Sequence, residues 1–193
     1  MINNHKSTEN LNVAGINPGD SNVEFVGVRN TKSVLWLQNG NSHYFSDLPI
    51  QYFLLLKAAY QKDHKAVRFL SKVTDCEKRK VELFTYYMYG DLDTTPDIKN
   101  GSLTGSENFR DLDNCPSLLW NSKNINIGNY ILSPRQLIII DLIAKDLPDK
   151  AIAHSLNVAI NTLDYHKAKL FKVLKVTNKV ALLKLAFQYK IIK

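Results

Sequence analysis

The chain has 193 residues, 45% of them hydrophobic, and its 25 Lys and Arg against 18 Asp and Glu give a net charge of +7. That length fits one large domain or two small ones, and no run of about twenty apolar residues exists to cross a bilayer, so no membrane partner is expected. Residues Met1 to Lys6 lack an apolar secretion segment, and Cys76 and Cys115 lie too far apart for metal-ligand spacing or a disulfide framework; a cytoplasmic location without metal or other cofactor is the expectation.

Residues 1–22 are rich in Asn, Ser, Gly and Pro and poor in large apolar groups, a composition that predicts a disordered tail. Residues 23–127 then predict an α+β domain, a small antiparallel sheet followed by helices. Strands are expected at Val23–Val28, Ser33–Gln38 and Ser42–Ser46, with Asn39-Gly40 as a hairpin turn because both residues tolerate positive φ. Asp47-Leu48-Pro49 reads as a helix start, with Asp47 as cap, for a helix over Ile50–Gln61. Further helices are expected from Asp63 or His64 to Val73 and from Asp75 to Tyr89, the last ended by Gly90. Residues 91–131 show little periodicity, and short pieces packed by Leu118, Leu119, Trp120 and Tyr130 are expected there, then a linker over Asn121–Gly128. Asp91 to Asp97 has the acidic spacing of a calcium loop but carries Pro96 at the glycine position and Ser102 at the glutamate position, so turns are the better reading.

Residues 128–193 predict an all-α domain. Ser133, Pro134 and Gln136 form a capping box ahead of a helix whose buried stripe is Leu137, Ile140, Leu142, Ile143 and Ala144. Pro148-Asp149-Lys150 opens a second helix to Leu156, and Asn157 takes the turn. A third helix runs from about Asn161 to Leu174 with Leu163, Leu170 and Leu174 inward, and a fourth from Asn178 to Tyr189 buries Val180, Leu183 and Phe187. From Ser133 onward there are eleven basic and four acidic residues, while residues 1–132 carry fourteen of each, so all of the +7 lies in this last part. Such an asymmetry alone fits a polyanion partner and a merely solvated basic surface equally; joined to the helix order it points to the polyanion.

Leu132-Ser133-Pro134-Arg135-Gln136-Leu137, Lys150-Ala151-Ile152-Ala153, Asn161-Thr162-Leu163, Tyr165-His166, Phe171-Lys172-Val173-Leu174 and Asn178-Lys179 resemble the LuxR-type (GerE-like) helix-turn-helix domain over residues 132–188. The resemblance implies a four-helix reader of double-stranded DNA whose third helix enters the major groove and whose fourth pairs with a second copy, giving a homodimer. By position, Asn161, Thr162, Tyr165, Lys169 and Lys172 would face the groove, and Lys150 and Lys179 would meet phosphate. Leu182, Leu185 and Gln188 on the fourth helix, an edge of the N-terminal sheet, and Ile138 are the candidate pairing surfaces. Leu92 to Asp97, with Asn100-Gly101 and Asn114-Cys115-Pro116, is similar to small LuxR-type regulators on phages and mobile elements of Bacteroidetes-like bacteria.

Four residues depart from the LuxR-type pattern. Ala159 stands at the cap of the third helix, Asp164 at a usually basic position, Lys167 at an inward one, and Lys175 where the helix end usually has Gly. The function implied is a sequence-specific transcription regulator, not an enzyme, with the N-terminal domain serving partner contact, dimerisation or sensing. The alternative is a protein-interaction adaptor with a degenerate helix-turn-helix. No phosphate loop, nucleophile elbow or carboxylate pair supports catalysis.

Overall fold

The computed structural model describes residues 13–111 and 115–192. These cluster into two compact units, one of residues up to Lys62 with Leu70–Gly105, the other of Asp63–Phe69 with Ser106–Lys193. The expected boundary at 127/128 thus falls inside the second unit.

In the first unit, β1 (Glu24–Val28), β2 (Ser33–Gln38) and β3 (Asn41–Tyr44) form an antiparallel sheet in that order. Asn39 and Gly40 turn β2 into β3 with φ of 52° and 79°, as their tolerance of positive φ predicts. The register sets Phe25 opposite Trp36 and Gly27 opposite Val34. Phe25, Val34 and Trp36 are buried, and α3 (Glu77–Tyr89) packs on β1 and β2. Gly27 is required at this contact, since a Cβ there would stand 2.9 Å from the Tyr86 ring. α1 (Ile50–Lys62) packs on α3 through Leu56 and Tyr60. Asp47 does not cap α1: it ends a 3-10 turn over Phe45–Asp47, and the Pro49 carbonyl accepts the first helical amides, those of Tyr52 and Phe53. β4 (Ile98–Lys99) and β5 (Ser102–Leu103) make a short hairpin. The residues before it form turns: Asp93 accepts from the Thr95 amide, and buried Asp97 accepts from the amide of Phe25.

Of the expected tail, residues 1–12 lie outside the described residues, but 13–22 are built into this unit. Asp20 accepts from the amides of Gly15 and Asn22, and Gly15 accepts from Gly40. Gly15 has φ +71°, and a Cβ on it would meet the Leu37 carbonyl at 2.4 Å. Polar composition here reflects tight turns rather than lack of structure.

The second unit holds α4 (Pro134–Ala144), α5 (Asp149–Ser155), α6 (Ile160–Leu174) and α7 (Lys179–Gln188). Leu137, Ile140, Ile143, Ile152, Leu163, Leu170, Leu174, Leu182 and Ala186 make a single core. The Ser133–Gln136 capping box opens α4 as expected. Asn157 adopts φ 52° between α5 and α6. Three details of the helices differ from expectation. Ala144 is exposed, whereas Ile139 and Asp141 are buried. On α7, Leu182 and Ala186 are the buried residues, while Val180 and Phe187 face solvent at 76% and 65% exposure.

The stretch ahead of α4 contributes to the same core, with Leu118 and Tyr130 packed against it. Ile125 and Ile127 are buried in it, the first beside and the second within β6 (Asn126–Ile127), which pairs with β7 (Tyr130–Ile131). The expected linker over 121–128 is therefore structural. Asn108 donates to the carbonyls of Asn126 and Tyr189 and accepts from the Asn126 amide. Trp120 packs on Phe69 at 6.2 Å between ring centroids, but Leu119 is 70% exposed. Asp63 caps α2 (His64–Leu70) through the amides of Lys65 and Ala66, and its second oxygen accepts from the amide and hydroxyl of Ser122. Burial opposes charge on Asp63, but the Ser122 and Ala66 bonds outweigh it and hold the carboxyl below its usual range.

Candidate nucleic-acid interface

α5, the turn at Asn157 and α6 form the two-helix step, and their mutual packing fixes which side of α6 is free. Leu163, Leu170 and Leu174 point into the core. At 3.6 residues per turn the opposite side is then set, and it carries Asn161, Thr162, Tyr165, Lys169 and Lys172, all exposed. Tyr165 is 63% exposed and its ring meets His166 edge-on at 5.7 Å. This side presents an amide, a hydroxyl, a phenol and two ammonium groups, donors and acceptors of the kind that address base edges and phosphates.

Lys150 is exposed in the first turn of α5. Lys179, the first residue of α7, is differently placed. Its ammonium donates to Asp149 Oδ1 at 2.9 Å, while Lys167 donates to Asp149 Oδ2 at 2.7 Å and to Asp164 at 3.3 Å. Asp149 thereby ties the starts of α5 and α7 to the middle of α6. Hydrogen bonds from Lys167 and Lys179, then their charges, hold its carboxyl below the usual range against burial. Burial works against charge on Lys167, but its bonds to Asp149 and Asp164 prevail and raise its ammonium above the ordinary value. Two of the four departures are thus coupled: the inward lysine is accommodated because Asp164 and Asp149 receive it.

The other two departures are visible in the backbone. Ala159 caps α6 with no side-chain hydrogen bond, and only its carbonyl serves the helix start, accepting from the amides of Thr162 and Leu163. Lys175 ends α6 in the left-handed conformation, φ 55°, where its amide reaches back to Phe171 and Lys172.

Among residues outside the expected set, Arg135 is exposed in the first turn of α4, and Asp149 organises the network just described. Arg135 had a local signal, a basic residue directly after the capping Ser-Pro, whereas the role of Asp149 depends on residues 18 and 30 positions away.

Residues 130–186 match the GerE family, bacterial regulatory proteins of the luxR family. This stretch is a GerE-type helix-turn-helix domain, the DNA-binding domain of a regulator family; residues before 130 lie outside the match. No curated protein and no solved structure matches the chain.

Proposed function

We propose that the chain is a sequence-specific transcription regulator that binds double-stranded DNA through α6 and acts as a cytoplasmic homodimer. The observation that carries this reading is the open side of α6, with Asn161, Thr162, Tyr165, Lys169 and Lys172 exposed together on a GerE-type domain. All of the chain's net positive charge lies from Ser133 onward, which supplies the sequence-independent attraction to phosphate. Asn161, Tyr165 and Lys169 read base edges; Lys150 and Lys179 set register on the backbone, Lys179 exchanging Asp149 for phosphate. α7 pairs the two copies. The first unit serves partner contact or sensing, and the protein's role is binding rather than catalysis.

One observation favours a second reading, an adaptor with a degenerate reader: the ion pairs of Asp149 and Asp164 hold two of the domain's lysines. Fluorescence anisotropy of the full chain on mixed-sequence duplex at two salt concentrations separates the two. A regulator binds with steep salt dependence and selects a preferred site from a random duplex pool. No binding at low salt, or no enriched sequence, would favour the adaptor.

A further inference from the structure

α2 comes from the middle of the first unit's sequence, yet Asp63–Phe69 belongs to the compact unit that carries the GerE-type domain. Two contacts hold it there. The buried Asp63 carboxylate joins the first amides of α2 to Ser122, and the Phe69 ring lies against Trp120. Leu118, Asn124 and Ile125 of the same segment line a cleft together with His166 and Lys169 of α6. A single segment therefore stands between α2 and α6. A helix of seven residues is not stable alone, so these anchors fix where its side chains stand.

Asp63, Ala66 and Leu70 are the buried residues of this stretch, whereas Lys65 and Arg68 are exposed. At a spacing of three the two cations are neighbours on the helix surface. Lys65 also stands four residues before Phe69 on the same helix face, so the cationic edge of α2 begins at the contact with Trp120. Its one acid, Asp63, is spent on the cap and on Ser122. Neither Lys65 nor Arg68 has a side-chain partner among the described residues, in contrast to Lys167 and Lys179, which Asp149 holds.

We propose that α2 is a second DNA contact outside the family domain: Lys65 and Arg68 meet phosphates beyond those that the helix-turn-helix serves, and lengthen the footprint on one side. The inference rests on α6 being the groove-entering helix, and it leaves Lys169 on a base and Lys179 on phosphate. Duplex DNA carries about one negative charge per 1.7 Å of its axis, so cations carried rigidly beside the reader complement it whatever the sequence. They add affinity and reads of sequence remain with α6.

The test is titration of full-length wild type, Lys65→Ala, Arg68→Ala, the double variant and Lys99→Ala against a selected duplex and a scrambled one, over a range of salt. Lys99 is an exposed lysine of the first unit, so its removal controls for loss of positive charge as such. Each single change on α2 is expected to weaken binding about five- to tenfold on both duplexes and to lower the salt slope by about 1, and the double variant to lower it by about 2. Lys99→Ala should alter neither. Arg68→Lys should keep most of the slope that Arg68→Ala loses, and thermal melts check that the variants fold. If the wild type binds but the double variant keeps its affinity and slope, or if Lys99→Ala lowers the slope as much as a change on α2, then α2 does not touch the duplex and the proposal is overturned. If the wild type binds neither duplex, the DNA-binding reading itself fails.

Discussion

Both oxygens of the Asp141 carboxylate accept from the Arg110 guanidinium, at 2.8 and 2.7 Å, although the two residues lie 31 positions apart and both side chains are buried. The same guanidinium donates to the carbonyl of Ile191. This pair fastens the segment ahead of the GerE-type domain to α4 and to the chain beyond α7. A buried carboxylate that loses its only guanidinium partner is left with an uncompensated charge, which costs about 3–5 kcal/mol.

A fragment of residues 128–193 therefore melts without cooperativity or at much lower temperature than one of residues 106–193. The shorter fragment lacks Arg110, the Asn108 bonds, and the buried Ile125 and Ile127. Against a total stability of about 5–15 kcal/mol, that loss is decisive. Circular dichroism melts of the two fragments measure it, and equal midpoints would show that residues 106–127 are dispensable. In the full chain, Arg110→Ala should cost more than the double replacement of Arg110→Met with Asp141→Leu, because the double change removes the buried Asp141 charge together with its partner.

Local rules made the helical domain and the β2–β3 turn legible. Ser133, Pro134 and Gln136 form a contiguous cap, Leu163, Leu170 and Leu174 keep one helical phase, and Asn39-Gly40 can hardly turn otherwise. Three features escaped those rules for identifiable reasons. Asp141 sits in the run Ile138-Ile139-Ile140-Asp141-Leu142-Ile143, where a lone charge marks a solvent face unless its distant partner is known. Ile125 and Ile127 alternate over only three residues after a polar stretch, too short a signal for a strand. Val180 to Phe187 is apolar at every position but Lys184, so two inward phases fit equally; the structure takes the one that sets Leu182 and small Ala186 against α4. The exposed side of α6 was legible because its opposite side is so regular in leucine.

Asp149→Asn should flatten the chain's response to acid. A carboxyl held below its ordinary value contributes stability that is complete above that value, about pH 4, and is lost as pH falls through the lower folded one. Lys167 acts at the other end: its raised ammonium contributes below the ordinary lysine value of about 10.4 and loses that contribution as pH climbs through the raised one. At neutral pH the substitution costs under about 1 kcal/mol, since the Asp149 side chain is 32% exposed and its pairs are screened. Urea midpoints of both proteins from pH 3 to 7 check this. A difference between them that stays constant down to pH 3 would count against the ion-pair account.

Lys175→Gly should stabilise the chain by about 0.5–1 kcal/mol. The native φ of 55° is strained for a residue with a Cβ and free of strain for glycine. The site is exposed, so little packing is lost. Denaturant unfolding reads the change, and a destabilised variant would show that the Lys175 side chain contributes something the conformation does not reveal.

On DNA, Lys169→Ala should weaken a preferred site by about 1–3 kcal/mol while sparing scrambled duplex, and Lys179→Ala should weaken all sequences alike. Asp164→Lys removes a carboxylate from the flank of α6 and one partner of Lys167, so it should raise affinity for any duplex. Anisotropy titrations at two salt concentrations distinguish these patterns. Uniform loss with Lys169→Ala, or weaker binding by Asp164→Lys, would move the docking face elsewhere on the domain.

Pairing through α7 makes the sharpest prediction. The expected surface of Leu182, Leu185 and Gln188 cannot serve as a whole, because Leu182 is fully buried. Val180, half-buried Leu183 and Phe187 instead fall three and four residues apart along one side of α7, and neighbours at that spacing share a helix face. Two exposed large apolar side chains on one helix are costly to leave in water and cheap to bury against their own copy, since a two-fold axis needs only one self-complementary patch. Phe187→Asp should therefore leave the fold intact and convert dimer to monomer, whereas Leu182→Asp should unfold the domain. Sedimentation with and without a selected duplex checks both. A wild-type complex with one protomer per duplex at saturation, on a site without two-fold symmetry, would sink the dimer.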